Sequence, residues 1–237
     1  MVKFMVFMSR RADVSLEVFK RHYEEIHAPL SLQHMTFPGY VRNHVVEMPG
    51  MPRPDFDVVT AFWYKDEAHL RRTLDLLKSD LRFLGEDGDL FIDRSKTWNV
   101  AVEERYSDLP GSSPGMVKFM ALLKRKAGLS REEFIDHYEA VHAPLILRLS
   151  TGVEQYARNF TLPGRDGAEP PYDSVTELWY RDRDALRASM ATWRSEAGNA
   201  IREDEEKLLD RERIVAFLAD ERVSIAQHRG NPHAKPA

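Results

Sequence analysis

The chain contains one stretch of sequence twice, and this repeat limits the folds that it can adopt. Residues 1–30 and 116–145 align without a gap, and seventeen of the thirty aligned positions are identical. Both copies begin Met-Val-Lys-Phe-Met and end His-Tyr-Glu-x-x-His-Ala-Pro-Leu. The interval of 115 residues between the copies is the length of a whole domain rather than of a solenoid unit. We therefore expect two fused copies of one fold.

Apolar periodicity predicts the same elements in both copies. The run Met1–Met8 is typical of a buried strand. Ser15 and Ser130 are typical helix N-caps, and Glu133 completes a capping box in the second copy. We expect the first helix to end near His27, because Pro29 disfavours helical geometry at the residue before it. Two strands, one long helix, an acidic segment and a last strand follow, with the helix at 66–84 and again at 182–197.

The order in each copy is β-α-β-β-α-β, which is the ferredoxin-like order. The predicted fold class is therefore α+β, with two tandem ferredoxin-like domains packed sheet to sheet as a pseudo-dimeric α/β barrel. We expect domains at 1–106 and 116–223, a linker at 107–115 and a disordered tail at 224–237. A pocket would lie in each half between the helices and the sheet.

Composition argues against several classes of protein. The net charge is −4 with a pI near 6.2, and no basic footprint indicates a partner among nucleic acids or anionic membranes. The absence of cysteine removes disulfides, thiolate nucleophiles and cysteine metal sites, and it fits a reducing cytosol. No apolar run is long enough for a membrane helix, and the N-terminal stretch has the wrong order for a signal peptide. We expect a cytoplasmic protein.

Two histidines and a tyrosine recur on the first helix of each copy. His22 and His27 fall on opposite edges of the apolar face that contains Tyr23, and the second copy repeats this with His137, His142 and Tyr138. At a helix C-terminus, His27 and His142 would serve as general acid or base, or would bond free backbone carbonyls. His22 and His137 would take part in catalysis or pack beside the sheet. Tyr23 and Tyr138 would be catalytic, or core residues with a bonded hydroxyl.

The next strand adds further candidates for the site. Alternation places Tyr40, Arg42 and His44 on one face and Asn43 on the other. Arg42 would hold a carboxylate or enolate, or would neutralise Asp57 across the sheet. The equivalent residues of the second copy are Tyr156, Arg158, Asn159 and, opposite Arg158, Asp173.

The two copies differ in ways that bear on which half is active. Phe160 replaces His44 in the second copy, and His34 and His69 also occur only in the first half, a difference that favours the first half as the catalytic one. Trp63 and its aromatic neighbours would form core or line a site for a planar ligand.

No cofactor or metal is expected. The two histidines of each helix lie five residues apart on opposite flanks, so one ion would not reach both. The sequence contains no phosphate-binding glycine loop, nucleophile elbow or dinucleotide fingerprint.

The strand, capped helix and His-Tyr-x-x-x-His-Ala-Pro-Leu ending resemble the EthD family of the dimeric α/β-barrel superfamily. The resemblance covers both halves and implies a ferredoxin-like unit that normally pairs through its sheet. Members are associated with ether degradation, and fungal relatives resemble decarboxylases or dehydratases of aromatic polyketides. The wider superfamily includes cyclases, isomerases, monooxygenases and haem enzymes. The histidines and tyrosines that carry over are His22, Tyr23, His27, His137, Tyr138 and His142.

The leading hypothesis is a cofactor-independent lyase or isomerase that acts on a small hydrophobic, aromatic or lactone-like substrate. His27 or His142 would transfer the proton, Tyr23 or Tyr40 would orient the substrate oxygen, and Arg42 would stabilise negative charge. A non-catalytic binding protein of a degradation pathway and a haem-binding protein are the alternatives. The fused halves would form an intramolecular pseudo-dimer, and further pairing into a homodimer stays open.

Overall fold

The first half of the chain folds in the predicted order of elements. The protein is described by a computed structural model that covers residues 1–48, 51–164 and 166–225. The elements of the first half are β1 (Val2–Arg10), α1 (Leu16–His22), a π-helical turn (Tyr23–His27), α2 (Ala28–His34), β2 (Gly39–Val46), β3 (Val58–Tyr64), α3 (Glu67–Lys78), α4 (Arg82–Asp89) and β4 (Ile92–Tyr106).

The second half repeats these elements. They are β5 (Val117–Leu123), α5 (Arg131–His137), a second π-helical turn (Tyr138–His142), α6 (Ala143–Arg148), β6 (Val153–Thr161), β7 (Ser174–Tyr180), α7 (Arg183–Arg194), α8 (Asn199–Leu208) and β8 (Val215–Ile225). The predicted N-caps are confirmed: the hydroxyl of Ser15 accepts from the Val18 N–H, and Ser130 forms the full capping box with Glu133. None of the helices in the described ranges is long and apolar enough to span a membrane.

Each half builds a ferredoxin-like sheet. In the first half β3 pairs antiparallel with β1 and β2, and β1 pairs antiparallel with β4. In the second half β7 pairs in the same way with β5 and β6, and β5 with β8. The hydrogen-bonded order over all strands is β1-β3-β2-β8-β5-β7-β6-β4, the order of a closed α/β barrel, which confirms the predicted fold class.

The chain divides into two compact units that do not coincide with its two halves. Counted over the described residues, the first unit contains 1–46, 53–102 and 220–225, and the second contains 47–48, 51–52, 103–164 and 166–219. Strands β4 and β8 are long, 15 and 11 residues, and each contributes residues to both units. Ser224 and Ile225, the first residues of the predicted tail, lie in β8, whereas the rest of that tail lies outside the described residues. The predicted domain boundaries stay predictions.

The first helix of each half does not end where the proline rule placed its end. The chain continues through a π-helical turn, in which the Ala28 N–H donates to the carbonyl of Tyr23, and then through α2. Pro29 lies at the start of α2. Proline has no N–H and clashes with the carbonyl four residues before it in a regular α-helix. A widened turn before the proline accommodates it, and the second half repeats this solution at Pro144.

The single long helix predicted after the third strand is two helices in each half. In the first half α3 ends at Lys78 and α4 begins at Arg82, and in the second α7 ends at Arg194 and α8 begins at Asn199. The acidic segment that the sequence suggested is part of α4 and of α8. It lies against the π-helical turn, and this position makes its carboxylates part of the candidate site.

Candidate functional site

Two histidines share one carboxylate in the first unit. The Nε2 atom of His22 lies 2.9 Å from Asp87 Oδ1, and the Nδ1 atom of His27 lies 2.7 Å from Asp87 Oδ2. The sequence placed these histidines on opposite flanks of a helix, and that geometry is wrong. The π-helical turn widens the winding between them, so residues five apart return to the same side.

The second unit repeats the arrangement with greater burial. His137 Nε2 lies 2.6 Å from Asp204 Oδ1, and His142 Nδ1 lies 2.8 Å from Asp204 Oδ2. The side chain of His142 is 4% exposed, against 15% for His27. Burial opposes ionisation of Asp204, but hydrogen bonds from His142 and His137 outweigh it and lower the pKa of Asp204. Asp204 is therefore a carboxylate that accepts from both rings.

His27 does not lie at the helix C-terminus where the sequence placed it. The helix continues from His27 into α2, and the His27 ring contacts Asp87 rather than backbone carbonyls of a helix end. Burial instead lowers the pKa of His27 below its usual value, while the hydrogen bond to Asp87 opposes that shift. The bond fixes the ring and its tautomer, because an Asp that accepts from Nδ1–H leaves Nε2 as the basic nitrogen.

The shared aspartates are the residues of the candidate site that sequence reasoning missed. Both lie in a segment that looked merely acidic. The signal that was available is a second repeat, Leu-Gly-Glu-Asp ending at Asp87 and Ile-Arg-Glu-Asp ending at Asp204. An apolar residue three positions before a carboxylate places both on one face of a helix. Leu84 and Ile201 are indeed buried beside these aspartates in α4 and α8.

The tyrosines of the π-helical turns are buried and hydrogen-bonded. Tyr23 lies 2.7 Å from the Thr60 hydroxyl, and burial raises its pKa to about 12. Tyr138 lies 2.7 Å from the Thr176 hydroxyl and 3.1 Å from the hydroxyl of Tyr156. Burial also raises the pKa of Tyr138 and of Tyr156. These phenols stay protonated at neutral pH and can donate hydrogen bonds.

The strand arginines bind carboxylates of the π-helical turns rather than Asp57 or Asp173. Arg42 donates to Glu24 through Nε at 2.9 Å and Nη2 at 2.6 Å, and Arg158 binds Glu139 in the same fork. Burial opposes ionisation of Glu24, but hydrogen bonds from His44 and Arg42 lower its pKa to about 2. Both arginines are thus held in structural ion pairs. Asp57 and Asp173 instead bind Arg10 and Arg125.

The remaining predicted residues occupy two faces of the strands. Tyr40 and His44 lie on the helix side with Arg42, and the Nε2 atom of His44 is 2.7 Å from Glu24. On the other side the Asn43 amide donates to the carbonyl of Val59, and Asn159 donates to that of Val175. Trp63 also lies on that face, where the ammonium of Lys3 is 4.6 Å from its ring.

A cavity of about 250 Å³ lies in the second unit between the helices and the sheet. Three of the predicted residues line it, namely Tyr138, His142 and Tyr156. His137, Arg158 and Asn159 do not. Most of the remaining wall is apolar and includes Met51, Phe119, Leu178, Met190 and Trp193. The histidines that occur only in the first half favoured that half as the catalytic one, but this cavity belongs to the second unit.

Aromatic rings occupy the corresponding region of the first unit. Tyr40 stacks on Phe62 with ring centroids 4.9 Å apart, and Phe37 packs 5.0 Å from Phe62. Strand register aligns Phe62 with Leu178, since Tyr40 pairs with Phe62 and Tyr156 pairs with Leu178. A smaller side chain at this position leaves space beside Tyr156 in the second unit.

A carboxyl group in the cavity wall has no counterpart in the first unit. Glu205 follows Asp204 in α8 and lines the cavity, whereas the residue after Asp87 is Gly88. Burial raises the pKa of Glu205, while the nearby charges of His142 and Arg211 oppose that shift. Its side chain is 22% exposed, and Arg211 Nε lies 3.5 Å from Oε2. The wall therefore offers a carboxyl that retains its proton more readily than usual, close to an imidazole held by Asp204.

The site contains no cluster suited to a metal ion. Within the described ranges, no group of three or more His, Cys, Asp or Glu side chains could hold one. Haem, the alternative raised by the sequence resemblance, would need an axial ligand, and Nε2 of His142 is an atom in the cavity wall that could serve as one. A tetrapyrrole is too large for a cavity of about 250 Å³, which falls below the roughly 300–1,000 Å³ of ligand pockets for drug-sized molecules. The cavity suits a molecule of one or two rings.

Solved structures share the fold at low sequence identity. An anthrone oxidase-like protein aligns at 12% identity over 95% of this chain and 94% of its own, with a TM-score of 0.59. A candidate monooxygenase from Fusobacterium nucleatum subsp. nucleatum aligns at 6% identity over 94% and 93%, with a TM-score of 0.58. Another from Lactobacillus acidophilus aligns at 10% identity over 95% and 96%, with a TM-score of 0.54. These likenesses show the fold alone.

Comparison with curated proteins gives no match. The EthD domain matches the chain twice, at residues 11–95 and 126–212, and the two matches together cover more than half of it. Each match contains one pair of histidines and the aspartate that they share. The chain belongs to the EthD domain family, as a tandem duplication of that domain.

Proposed function

We propose that this protein is an enzyme that moves a proton on a small aromatic or lactone-like molecule bound in the cavity of the second unit. The reaction class is that of a cofactor-independent lyase or isomerase: decarboxylation, dehydration or cyclisation. The observation that carries the proposal is the juxtaposition of the His142–Asp204 pair with Glu205 in one apolar wall.

His142 is suited to act as the base. Its Nδ1 is bonded to a carboxylate, so the proton resides on Nδ1 and the lone pair of Nε2 is free to accept one. No hydrogen bond joins Nε2 to any other described residue. The carboxylate of Asp204 also stabilises the imidazolium that forms when His142 takes a proton.

Glu205 is suited to act as the acid. Its raised pKa moves it toward the range in which a carboxylic acid donates a proton at neutral pH. In an isomerisation, His142 would remove a proton from carbon next to a carbonyl, and Glu205 would return one at the new site. In a dehydration, Glu205 would instead protonate the departing hydroxyl.

The buried tyrosines are suited to hold the substrate oxygen. Tyr138 and Tyr156 line the cavity and remain protonated. A phenol that donates to a carbonyl oxygen stabilises the enolate formed when carbon loses its proton. Arg42, the residue expected in that role, is bound to Glu24, and its counterpart in the second unit, Arg158, is bound to Glu139.

Proton exchange tests this function without knowledge of the natural substrate. The probes are 2-tetralone and benzofuran-2(3H)-one, whose acidic C–H groups exchange with D2O at a rate that proton NMR measures. We expect the protein to accelerate exchange and His142→Gln to slow it by about 100-fold or more, as for loss of a general base. His27→Gln is the matched control at the equivalent position and should stay within twofold of wild type.

Two results would contradict the proposal. Exchange no faster than in imidazole buffer of the same pH would remove the catalytic role, and binding of the probes without exchange would support the alternative of a binding protein. Equal losses for His27→Gln and His142→Gln would show that the imidazoles act through stability rather than in the cavity.

A further inference from the structure

Two arginines line the cavity of the second unit, and neither has a carboxylate oxygen within ion-pair distance among the described residues. Arg194 is the last residue of α7, and Arg202 lies in α8. Neither forms an ion pair with any described residue, although most arginines of the described chain do. The whole chain has a net charge of −4, yet two guanidinium groups that form no ion pair lie at this one cavity. This local excess of positive charge favours the binding of an anion.

The two arginines differ in how many of their hydrogen-bond donors are already used within the protein. Arg202 donates to the backbone carbonyls of Trp193 and Ser195 and to the Asn199 side chain, so it is held in place at the end of α7. Arg194 makes no hydrogen bond to any described residue, and its side chain is exposed. Its planar fork of donors is therefore free to bind a carboxylate.

The first unit lacks this charge arrangement. At the aligned positions α3 ends in Lys78, which lies 3.9 Å from Asp75, and α4 has Gly85 in place of Arg202. The two arginines therefore occur in the unit that contains the cavity, and the two copies of the repeat do not share them. Among the described residues that line the cavity, Glu205 is the one carboxyl group, and burial raises its pKa while the charge of Arg202 opposes that shift.

We propose that the cavity binds an aromatic carboxylate, with Arg194 pairing with the carboxylate at the rim and the ring enclosed by the apolar wall. This inference rests on the proposed function for its site, but it concerns which molecule binds rather than which bond changes. It assigns to Arg194 a specificity role, with Arg202 adding positive potential beside it.

Calorimetric titration tests the inference with two probes of equal shape, 1-naphthoate and 1-naphthamide. We expect wild-type protein to bind the acid at least tenfold more tightly than the amide, and added salt to weaken only the acid. Arg194→Leu should remove this preference by lowering the affinity for the acid about tenfold or more. Its affinity for the amide should stay within twofold of that of wild type. Arg194→Gln should give the same result and keeps a polar side chain.

Arg187→Leu is the matched control, because Arg187 lies on the same helix with an exposed side chain outside the cavity. It should leave both affinities unchanged. Equal binding of acid and amide by the wild-type protein, or a preference that survives Arg194→Leu, would overturn the carboxylate inference and leave the proton-exchange proposal standing. Failure of both probes to bind would also overturn it, and the exchange assay then decides the proposed function separately.

Discussion

At the scale of the residue, the candidate site depends on carboxylates that accept hydrogen bonds from imidazole rings. Asp87 and Asp204 each bridge two histidines, and this bridge fixes ring orientation and tautomer. The histidines themselves were visible in the sequence because the repeat contains them twice. The repeat that ends at Asp87 and Asp204 marks these two aspartates as well, but the sequence does not show that each of them reaches a pair of histidines.

Glu205 predicts a pH dependence of stability. Its raised pKa means that the folded state holds this proton more tightly than the unfolded state does. The stabilisation is complete below the ordinary glutamate pKa of about 4.3 and is lost as the pH rises through the higher folded value. The Glu205→Gln variant has no titrating group at this position. The melting temperature of the variant should therefore rise relative to that of wild type between pH 4 and pH 7.

Thermal melts at several pH values measure this difference. Glu206→Gln is the control, because Glu206 also lies near Arg211 (3.4 Å) but its side chain is 66% exposed. The pH dependence of its melting temperature should parallel that of wild type. If the melting temperature of wild type instead rose relative to that of Glu205→Gln with increasing pH, the result would contradict a raised pKa of Glu205.

At the scale of the element, the π-helical turns decide which side chains meet. Capping residues and apolar periodicity correctly predicted where α1 and α5 begin, because those signals are local. The proline rule placed their ends wrongly, since it treats a regular α-helix and not a widened turn. The break between α3 and α4 was also missed, because Leu74, Leu77 and Leu81 continue the apolar pattern across it.

Deletion of Ala140 tests the role of the π-helical turn. Ala140 is exposed in the middle of Tyr138–His142, and removing one residue should convert the turn to regular α-helix. His142 would then rotate by about 100° relative to His137, and one of them would lose Asp204. We expect the free energy of unfolding to fall by about 1.5–3 kcal/mol, the value of a hydrogen bond to a charged group.

Urea denaturation measures this loss, and Ala140→Ser, which keeps the residue count, should be nearly neutral. A deletion variant as stable as wild type would show that the shared aspartate does not depend on the extra residue of the turn.

At the scale of the whole molecule, the repeat predicted the fold class because both halves report the same order of elements. It could not predict how the last strands extend. Residues 220–225 at the end of β8 belong to the first unit, where the Ser224 hydroxyl accepts from Arg42 Nη1 at 2.7 Å. Strand length beyond an apolar run depends on pairing with a distant strand, which periodicity does not report.

Truncation within β8 tests this exchange of strand ends. A chain that ends after Ala219 should melt at least 5 °C below a chain that ends after Ile225, because the first unit loses hydrogen bonds of its sheet and the Arg42–Ser224 contact. Differential scanning calorimetry compares the two truncated chains directly. Equal melting temperatures would show that residues 220–225 add nothing to the first unit.

The difference between Phe62 and Leu178 has a consequence for how such a protein can evolve. In an assembly of two identical chains, every substitution appears at both symmetry-related positions, so a larger chamber in one subunit opens the same chamber in the other. Duplication within one gene removes that constraint. One copy can keep the aromatic packing that stabilises its fold while the other accumulates the changes that a new ligand requires.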